Sequence, residues 1–355
     1  MAAHGSDPLS PCHESQPSER DKVAFLSSQA PYPEITGEVE VHETHMAWVF
    51  LVDDRAYKLK KPLAYGHGDG RSLTMREFLC REEVRLNRRL APDVYLGVVP
   101  LGLDLAGNLV LRGSERVVDW LVVMRRLPEP LLLDVALKKE SVLPADIDRV
   151  ADRLIDFYRG LEPEPISPDA YLDHFAREHA SNREVLEDER LSLPRERVKA
   201  VLSRLDHLIE EVPDLLGDRA RQGRIVEGHG DLRPEHVCLS RPPVIIDCLE
   251  FSHVLRQVDP FDELSFLGME CDRLGAGWIG RQLLERCTRA LHDSPDPRLL
   301  AFYTAYRACL RARLTLLHLL EPDPCKPEKW QARAWEYLAL AERACVGPEL
   351  KPLRQ

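Results

Sequence analysis

Two carboxylates stand out by their surroundings in the sequence. Asp231 sits in the run His229-Gly230-Asp231-Leu232-Arg233-Pro234-Glu235-His236, whose glycine and proline shape a tight loop, and Asp247 closes the apolar run Val244-Ile245-Ile246 sixteen positions later. Between them stands His236, a side chain able to ligate a metal. Phosphoryl transfer calls for this division of labour: one carboxylate accepts or orients the proton of an attacking hydroxyl, and another holds the Mg2+ that bridges nucleotide phosphates.

Other signatures fail when the same chemistry is asked of them. Gly102 and Gly107 have P-loop spacing, but Asn108 and Leu109 stand where Lys and Ser/Thr must reach the phosphates. Gly275-Ala276-Gly277-Trp278-Ile279-Gly280 matches a dinucleotide fingerprint in letters only, because helix-type sequence precedes it where a strand is required, and it reads as a helix–helix connection. Gly66-His67-Gly68-Asp69-Gly70 reads as a flexible loop after a strand.

The elements that must position the two carboxylates follow from periodicity. Alternating, β-branched runs predict strands near 39–41, 48–52 and 56–59, with Asp53-Asp54-Arg55 as a hairpin turn, then at 98–103, 108–111 and 120–124. A helix over 76–90 is stopped by Ala91-Pro92. Beyond Pro130 the spacing turns helical, at 147–158, 171–190, 195–212, 261–273, 278–292, 299–320 and 327–345, broken by strand-like segments at 237–239 and 244–246. This yields three expected regions: a disordered tail over 1–30 with structure beginning near Tyr32, an N-terminal lobe over 31–127, and a helical C-terminal lobe over 128–355.

The segments 229–236 and 245–250, with Asp259-Pro260-Phe261-Asp262 after them, resemble the catalytic core of the aminoglycoside phosphotransferase family, which has a protein-kinase-like fold. Glu43-Thr44-His45, Tyr57-Lys58-Leu59-Lys60-Lys61-Pro62 and the run from Glu83 to Pro92 make the chain similar to an uncharacterised bacterial branch of that family, over about residues 32–290. Some branch members carry a second, P-loop kinase-like domain, for which this length leaves no room. The resemblance implies an α+β fold, with a small N-terminal antiparallel sheet plus helix and a larger, mainly helical C-terminal lobe.

It also implies roles. Asp231 would be the catalytic base and Asp247 a Mg2+ ligand. His236 stands where the family usually has Asn, so it is either a metal ligand, direct or through water, or a brace for the loop. Arg233, two residues after the base, would neutralise charge developing on the transferred phosphate. In the small lobe, Ala56-Tyr57-Lys58 resembles the kinase strand whose alternate residues face the nucleotide: Ala56 under the adenine, Lys58 at the phosphates, Lys60 as the fallback, Lys61 pointing away. Glu83, or one residue earlier Glu82, would pair with that lysine, and Met124 begins a hinge over 124–127 whose main chain would meet the adenine. The turn Thr44-His45-Met46-Ala47 lacks the glycines of a kinase phosphate-covering loop. Asp262 would brace the catalytic loop, Glu250 would support the metal, and His229 would shape the loop.

ATP and Mg2+ are thus the implied cofactors, and the implied partner is a small molecule bearing a hydroxyl, its specificity set by region 171–222 and the helices after Phe261. Composition limits the alternatives. A net charge of −11 argues against a nucleic-acid surface, and no apolar run approaches a membrane span, which fits a cytoplasmic protein. Nine scattered cysteines without a Cys-x-x-Cys pair indicate neither a zinc site nor a disulfide framework. Two competing functions remain: a nucleotide-binding pseudokinase or regulatory scaffold, encouraged by His236 and the missing glycines, and phosphorylation of protein side chains.

Overall fold

The computed structural model describes residues 16–65, 68–191, 193–320 and 327–346. The chain divides into two units, one running to Val84 and resuming over Asp93–Arg126, the other comprising Arg85–Pro92 and the residues from Leu127 onward. Residues 85–92 fall with the helical unit because their polar groups are spent there: Asn87 Oδ1 accepts from Cys248 N–H at 2.9 Å, and Arg89 donates to the carbonyls of Glu227 and Gly228. An unbroken first lobe over 31–127 is corrected to that extent.

In the smaller unit, β1 (Glu40–Glu43), β2 (Ala47–Val52), β3 (Arg55–Lys60), β6 (Tyr95–Leu103), β7 (Leu109–Leu111) and β8 (Arg116–Arg125) form one antiparallel sheet in the order β1-β2-β3-β8-β6-β7. A separate short ladder pairs β4 (Ala64–Tyr65) with β5 (Gly68–Asp69); Gly66 and His67 of the expected loop lie outside the described residues. The β2–β3 hairpin turns on Asp53 and Asp54, with Asp53 at φ 47°, a left-handed conformation that Asp adopts more readily than most residues. Alternation along β3 sends Tyr57 and Leu59 into an apolar cluster with Phe50, Val52, Leu101 and Leu121, leaving Ala56, Lys58 and Lys60 on the opposite face.

The expected tail over 1–30 needs correction within the described residues. Helix α1 (Glu19–Leu26) begins in a reciprocal cap between Ser18 and Asp21, buries Leu26 in the sheet's apolar cluster, and anchors Lys22 to Asp119 at 2.8 Å. The same Asp119 on β8 holds Arg76 of α2 (Leu73–Asn87) through two bonds of 2.7 and 3.1 Å, so one buried carboxylate fastens both helices to the sheet. Charges around Val23, Phe25 and Leu26 mask a single apolar turn, and averaging over the segment hides it.

The larger unit is built from α3 (Leu133–Lys138), α4 (Pro144–Arg159), α5 (Pro168–Leu186), α6 (Arg195–Glu211), α7 (Pro213–Arg221), α8 (Pro260–Arg273), α9 (Trp278–Leu291), α10 (Pro297–Leu317) and α11 (Pro327–Val346). Two short ladders, β9 (Val226–Glu227) with β12 (Gln257–Val258) and β10 (Val237–Cys238) with β11 (Val244–Ile245), lie between α7 and α8 in the sequence. Helix α8 is the axis of this unit, buried on all sides from Pro260 to Cys271. Its start is specified locally: Asp259 caps Phe261 N–H at 2.9 Å with Pro260 in the first turn, and the cap is fixed by Arg219 and the Tyr303 hydroxyl.

Gly275 and Gly280 of the rejected fingerprint have structural work. Gly275, at φ 84°, ends α8, and Gly280 on α9 faces Gly268 on α8 so closely that a Cβ on Gly268 would lie 2.8 Å from the Gly280 Cα. No helix among the described residues is long and apolar enough to cross a membrane. The cysteines at 80, 238, 248, 271, 287, 309 and 345 form no disulfide, and all but Cys345 are buried. Since neither backbone can yield at the α8–α9 crossing, Gly268→Val should lower the unfolding free energy in urea by about 1–3 kcal/mol or more; wild-type stability in that variant would refute the crossing.

Candidate active site

The loop carrying Asp231 is held from beneath by Glu263, in the first turn of α8. Glu263 Oε1 accepts from His229 N–H at 2.8 Å and Gly230 N–H at 2.5 Å, while Oε2 accepts from the Tyr158 hydroxyl at 2.9 Å. Burial pushes the Glu263 carboxyl up and these donors pull against it. Gly230 is needed at φ 87°, with a would-be Cβ 3.0 Å from the Leu249 side chain, and Gly228 leaves room for Glu263 itself. The bracing expected of Asp262 therefore belongs to its neighbour; Asp262 instead pairs with Arg307 at 2.8 and 2.6 Å.

Two histidines have their protons assigned by the carbonyls they meet. His229 Nε2 lies 2.9 Å from Ile246 O and must donate, leaving Nδ1 to accept from Asp231 N–H at 3.3 Å. Burial foremost, then the neighbouring His236, lowers the His229 pKa to about 4, so it stays neutral. His236 Nδ1 lies 2.8 Å from Asp231 O and likewise donates, so the Nε2 lone pair is left to accept from Arg233 Nη2 at 3.4 Å, with Asp247 Oδ2 3.5 Å away. The rings stack at 5.8 Å.

Asp231 is partly exposed and engaged by Arg233, whose Nη2 is 2.9 Å from Oδ2 while Nη1 holds Glu235 at 2.5 Å. Burial would raise the Asp231 pKa, but Arg233, His236 and Arg311 outweigh it and hold the carboxylate ionised, at about 2. Asp247 follows β11 at φ 65°, left-handed for a residue with a side chain, as Ile246 N–H returns to His236 O and Leu249 N–H to His229 O. This backbone lacing brings Asp231, His236 and Asp247 together.

Among the described residues no group of three or more His, Cys, Asp or Glu forms a preassembled cage. The His236 imidazole beside the Asp247 carboxylate offers two donors to a divalent ion that would draw its remaining ligands from phosphates and water.

A feature missed in the sequence is the clamp around Glu227. Arg256, only 2% exposed at its side chain, donates to the carbonyls of Leu249 and Glu250 beyond Asp247 and to Glu227 Oε1 at 2.8 Å, while Arg89 binds the Glu227 and Gly228 carbonyls just before the loop. Arg85 and Arg89 lie 142 and 138 residues from Glu227, and Arg256 lies 29 residues from it on the other side, so nothing in their spacing marks them as partners.

In the smaller unit, Lys58 Nζ meets Glu83 Oε1 at 2.9 Å and Lys60 Nζ bonds the other oxygen; Glu83 is fully buried. Of the two candidate glutamates, Glu83 is the one shown meeting both lysines. Lys58 keeps more exposure than Lys60, 15% against 3%. Lys61 turns away to Glu43 and the Trp48 ring. Ala56 and Met124 are register partners, both buried. Two hinge donors are spent within the sheet unit, Arg125 N–H on Val94 O and Arg126 N–H on Asp54 O, which removes them from the expected adenine contacts. In the glycine-free turn, Thr44 N–H goes to Ala47 O and Ala47 N–H to Thr44 Oγ1. A cleft of about 680 Å3 lined by Tyr32, Tyr57 and Arg112 lies on the sheet face away from Lys58.

No family model matches the chain. It is 31% identical over 292 residues to uncharacterized proteins of Mycobacterium tuberculosis and Mycobacterium bovis, covering 81% of this chain and 56% of theirs, so the chain spans about half the length of the curated relatives it matches. Solved structures share its fold: a choline/ethanolamine kinase family protein from Mesorhizobium loti (TM-score 0.53, 17% identity, 93% of this chain and 95% of that one) and a choline kinase from Streptococcus pneumoniae (0.50, 15%, 91% and 99%). A choline kinase from Cryptosporidium parvum is similar as well (0.52, 11%, 90% and 94%).

The Glu227 clamp makes an acid-stability prediction. Burial would raise its pKa, but Arg85 and Arg256 hold it at about 2 against an ordinary 4.5, so its stabilisation is complete above pH 4.5 and drains as the pH falls toward 2. Acid titration of unfolding should therefore show Glu227→Gln losing about 3 kcal/mol near neutrality and losing that slope between these limits. An unchanged slope would remove the clamp from the stability of the loop.

Proposed function

From the protein-kinase-like fold of the aminoglycoside phosphotransferase and choline kinase type, which this chain has, we propose that it is an ATP-dependent phosphotransferase moving the γ-phosphate of ATP to a hydroxyl of a small molecule. The observation that carries the reading is Asp231, held ionised on a loop braced by Glu263 and placed next to the pair His236 Nε2 and Asp247.

Asp231 orients the acceptor hydroxyl and takes its proton as the oxygen attacks phosphorus. Arg233, already on Asp231, supplies positive charge where the transferred phosphoryl develops its own. Lys58, positioned by Glu83, holds the phosphates, and Lys60, buried on the second Glu83 oxygen, serves as the fixed counter-charge. Ala56 and Met124 supply the flat apolar face for adenine. Asp247, with His236, would hold Mg2+, which when bound neutralises phosphate charge. An enzyme of this kind belongs in the cytoplasm, where ATP is supplied.

One observation favours a pseudokinase instead: the Arg233 guanidinium already occupies Asp231 Oδ2. Turnover separates the two. With Mg-ATP and a metabolite library, the wild-type chain should form a phosphorylated product, and Asp231→Asn should slow it by about 10²–10⁴-fold while leaving the melting temperature within a few degrees. Lys58→Met should weaken Mg-ATP binding and Lys60→Met should chiefly lower stability. Mg-ATP that raises the melting temperature without any product across the library would establish the pseudokinase.

A further inference from the structure

Helix α8 presents a second acidic residue two turns beyond Glu263, on the same face. Glu270, 1% exposed at its side chain, accepts from the Tyr337 hydroxyl at 2.8 Å, from Arg273 Nε at 2.9 Å and from Arg311 Nε at 3.1 Å. Both guanidinium groups lie over the Tyr337 ring, at 5.4 and 5.6 Å from its centroid. Arg311 on α10 is thus gripped through Nε alone. Its terminal nitrogens, Nη1 and Nη2, have no protein partner among the described residues, although the side chain is only 15% exposed.

Arg311 also lies within electrostatic reach of Asp231 and Arg233, the loop side chains of the proposed chemistry. Arg233 differs from it in having its nitrogens committed to Asp231, Glu235 and the His236 ring. A recessed arginine aimed by a buried glutamate, with two terminal nitrogens open, is a fork for a planar or tetrahedral oxyanion.

Resting on the phosphotransferase reading, we infer that Arg311 is a specificity residue that binds an anionic group of the acceptor, which is therefore a hydroxylated molecule carrying a carboxylate or a phosphate. A quaternary ammonium acceptor would meet the guanidinium as a like charge and be rejected. The triphosphate of ATP is the other anion within the reaction, and the test separates the two.

The full-length chain is assayed with Mg-ATP and four acceptors, glycerol, glycerol 3-phosphate, glycerate and choline, and binding is followed by thermal shift in the presence of a non-hydrolysable ATP analogue. The expected result is a kcat/KM for glycerol 3-phosphate or glycerate about tenfold or more above glycerol and choline, the better of the two telling phosphate from carboxylate. Arg311→Gln should raise KM for that acceptor by about tenfold or more with Mg-ATP affinity unchanged, and Arg311→Lys should recover part of the loss and report on a correctly folded chain.

Preference for choline or glycerol overturns the assignment, as does a variant that loses Mg-ATP affinity instead. If none of the four is turned over, the thermal shift decides: either anion must stabilise the wild type more than Arg311→Gln, and equal shifts overturn the assignment. A wild-type chain that fails to bind Mg-ATP sinks the phosphotransferase reading separately, and that outcome is visible before any acceptor is added.

Discussion

A carboxylate buried beneath a loop organises the candidate site. Glu263 accepts two successive backbone N–H groups, those of His229 and Gly230, and a tyrosine hydroxyl, so neither its oxygens nor the loop amides are left without a partner away from water. Unpaired, any of these groups would cost a few kcal/mol to bury. Together they hold the loop in a single shape, and that shape requires Gly228 and Gly230, because a Cβ at either would enter space already occupied. The position of Asp231 follows from this bond set.

Helix α8 repeats the device along its length. Asp259 is matched by Arg219, Asp262 by Arg307, Glu263 by loop amides and Glu270 by Arg273, Arg311 and Tyr337. A helix buried from Pro260 to Cys271 that, with its cap, carries four buried acids is tolerable only because each of them is paired, since an isolated buried charge is far more expensive than a satisfied one. Through Glu263 the same pairing reaches the backbone of the loop that carries Asp231, so the core and the candidate site are stabilised by the same interactions.

The histidines illustrate how backbone geometry assigns chemistry. A carbonyl can only accept, so Ile246 O and Asp231 O each dictate which ring nitrogen carries the proton. The His236 Nε2 lone pair thereby faces Arg233 Nη2 and Asp247, whereas the fully buried His229 holds its tautomer for the loop. In the smaller unit two lysines share one fully buried glutamate on the sheet face opposite its apolar cluster.

Local patterns were sufficient for much of this. The alternation in β3 separates Lys58 from Tyr57, the glycine and proline around Asp231 announce a tight loop, and the apolar run ending at Asp247 marks a strand end, because period and turn chemistry are properties of neighbouring residues. Even the missed helix α1 had a local sign, Ser18 three residues before Asp21, ahead of Val23 and Phe25. The choice of Glu263 over Asp262 as the brace, the grouping of Arg85, Arg89 and Arg256 around Glu227, and the aim of Arg311 are decided only in three dimensions. Adjacent residues on a helix differ by about 100° in direction, and partners more than a hundred residues apart meet only when the chain packs, so no spacing rule along the sequence can encode either.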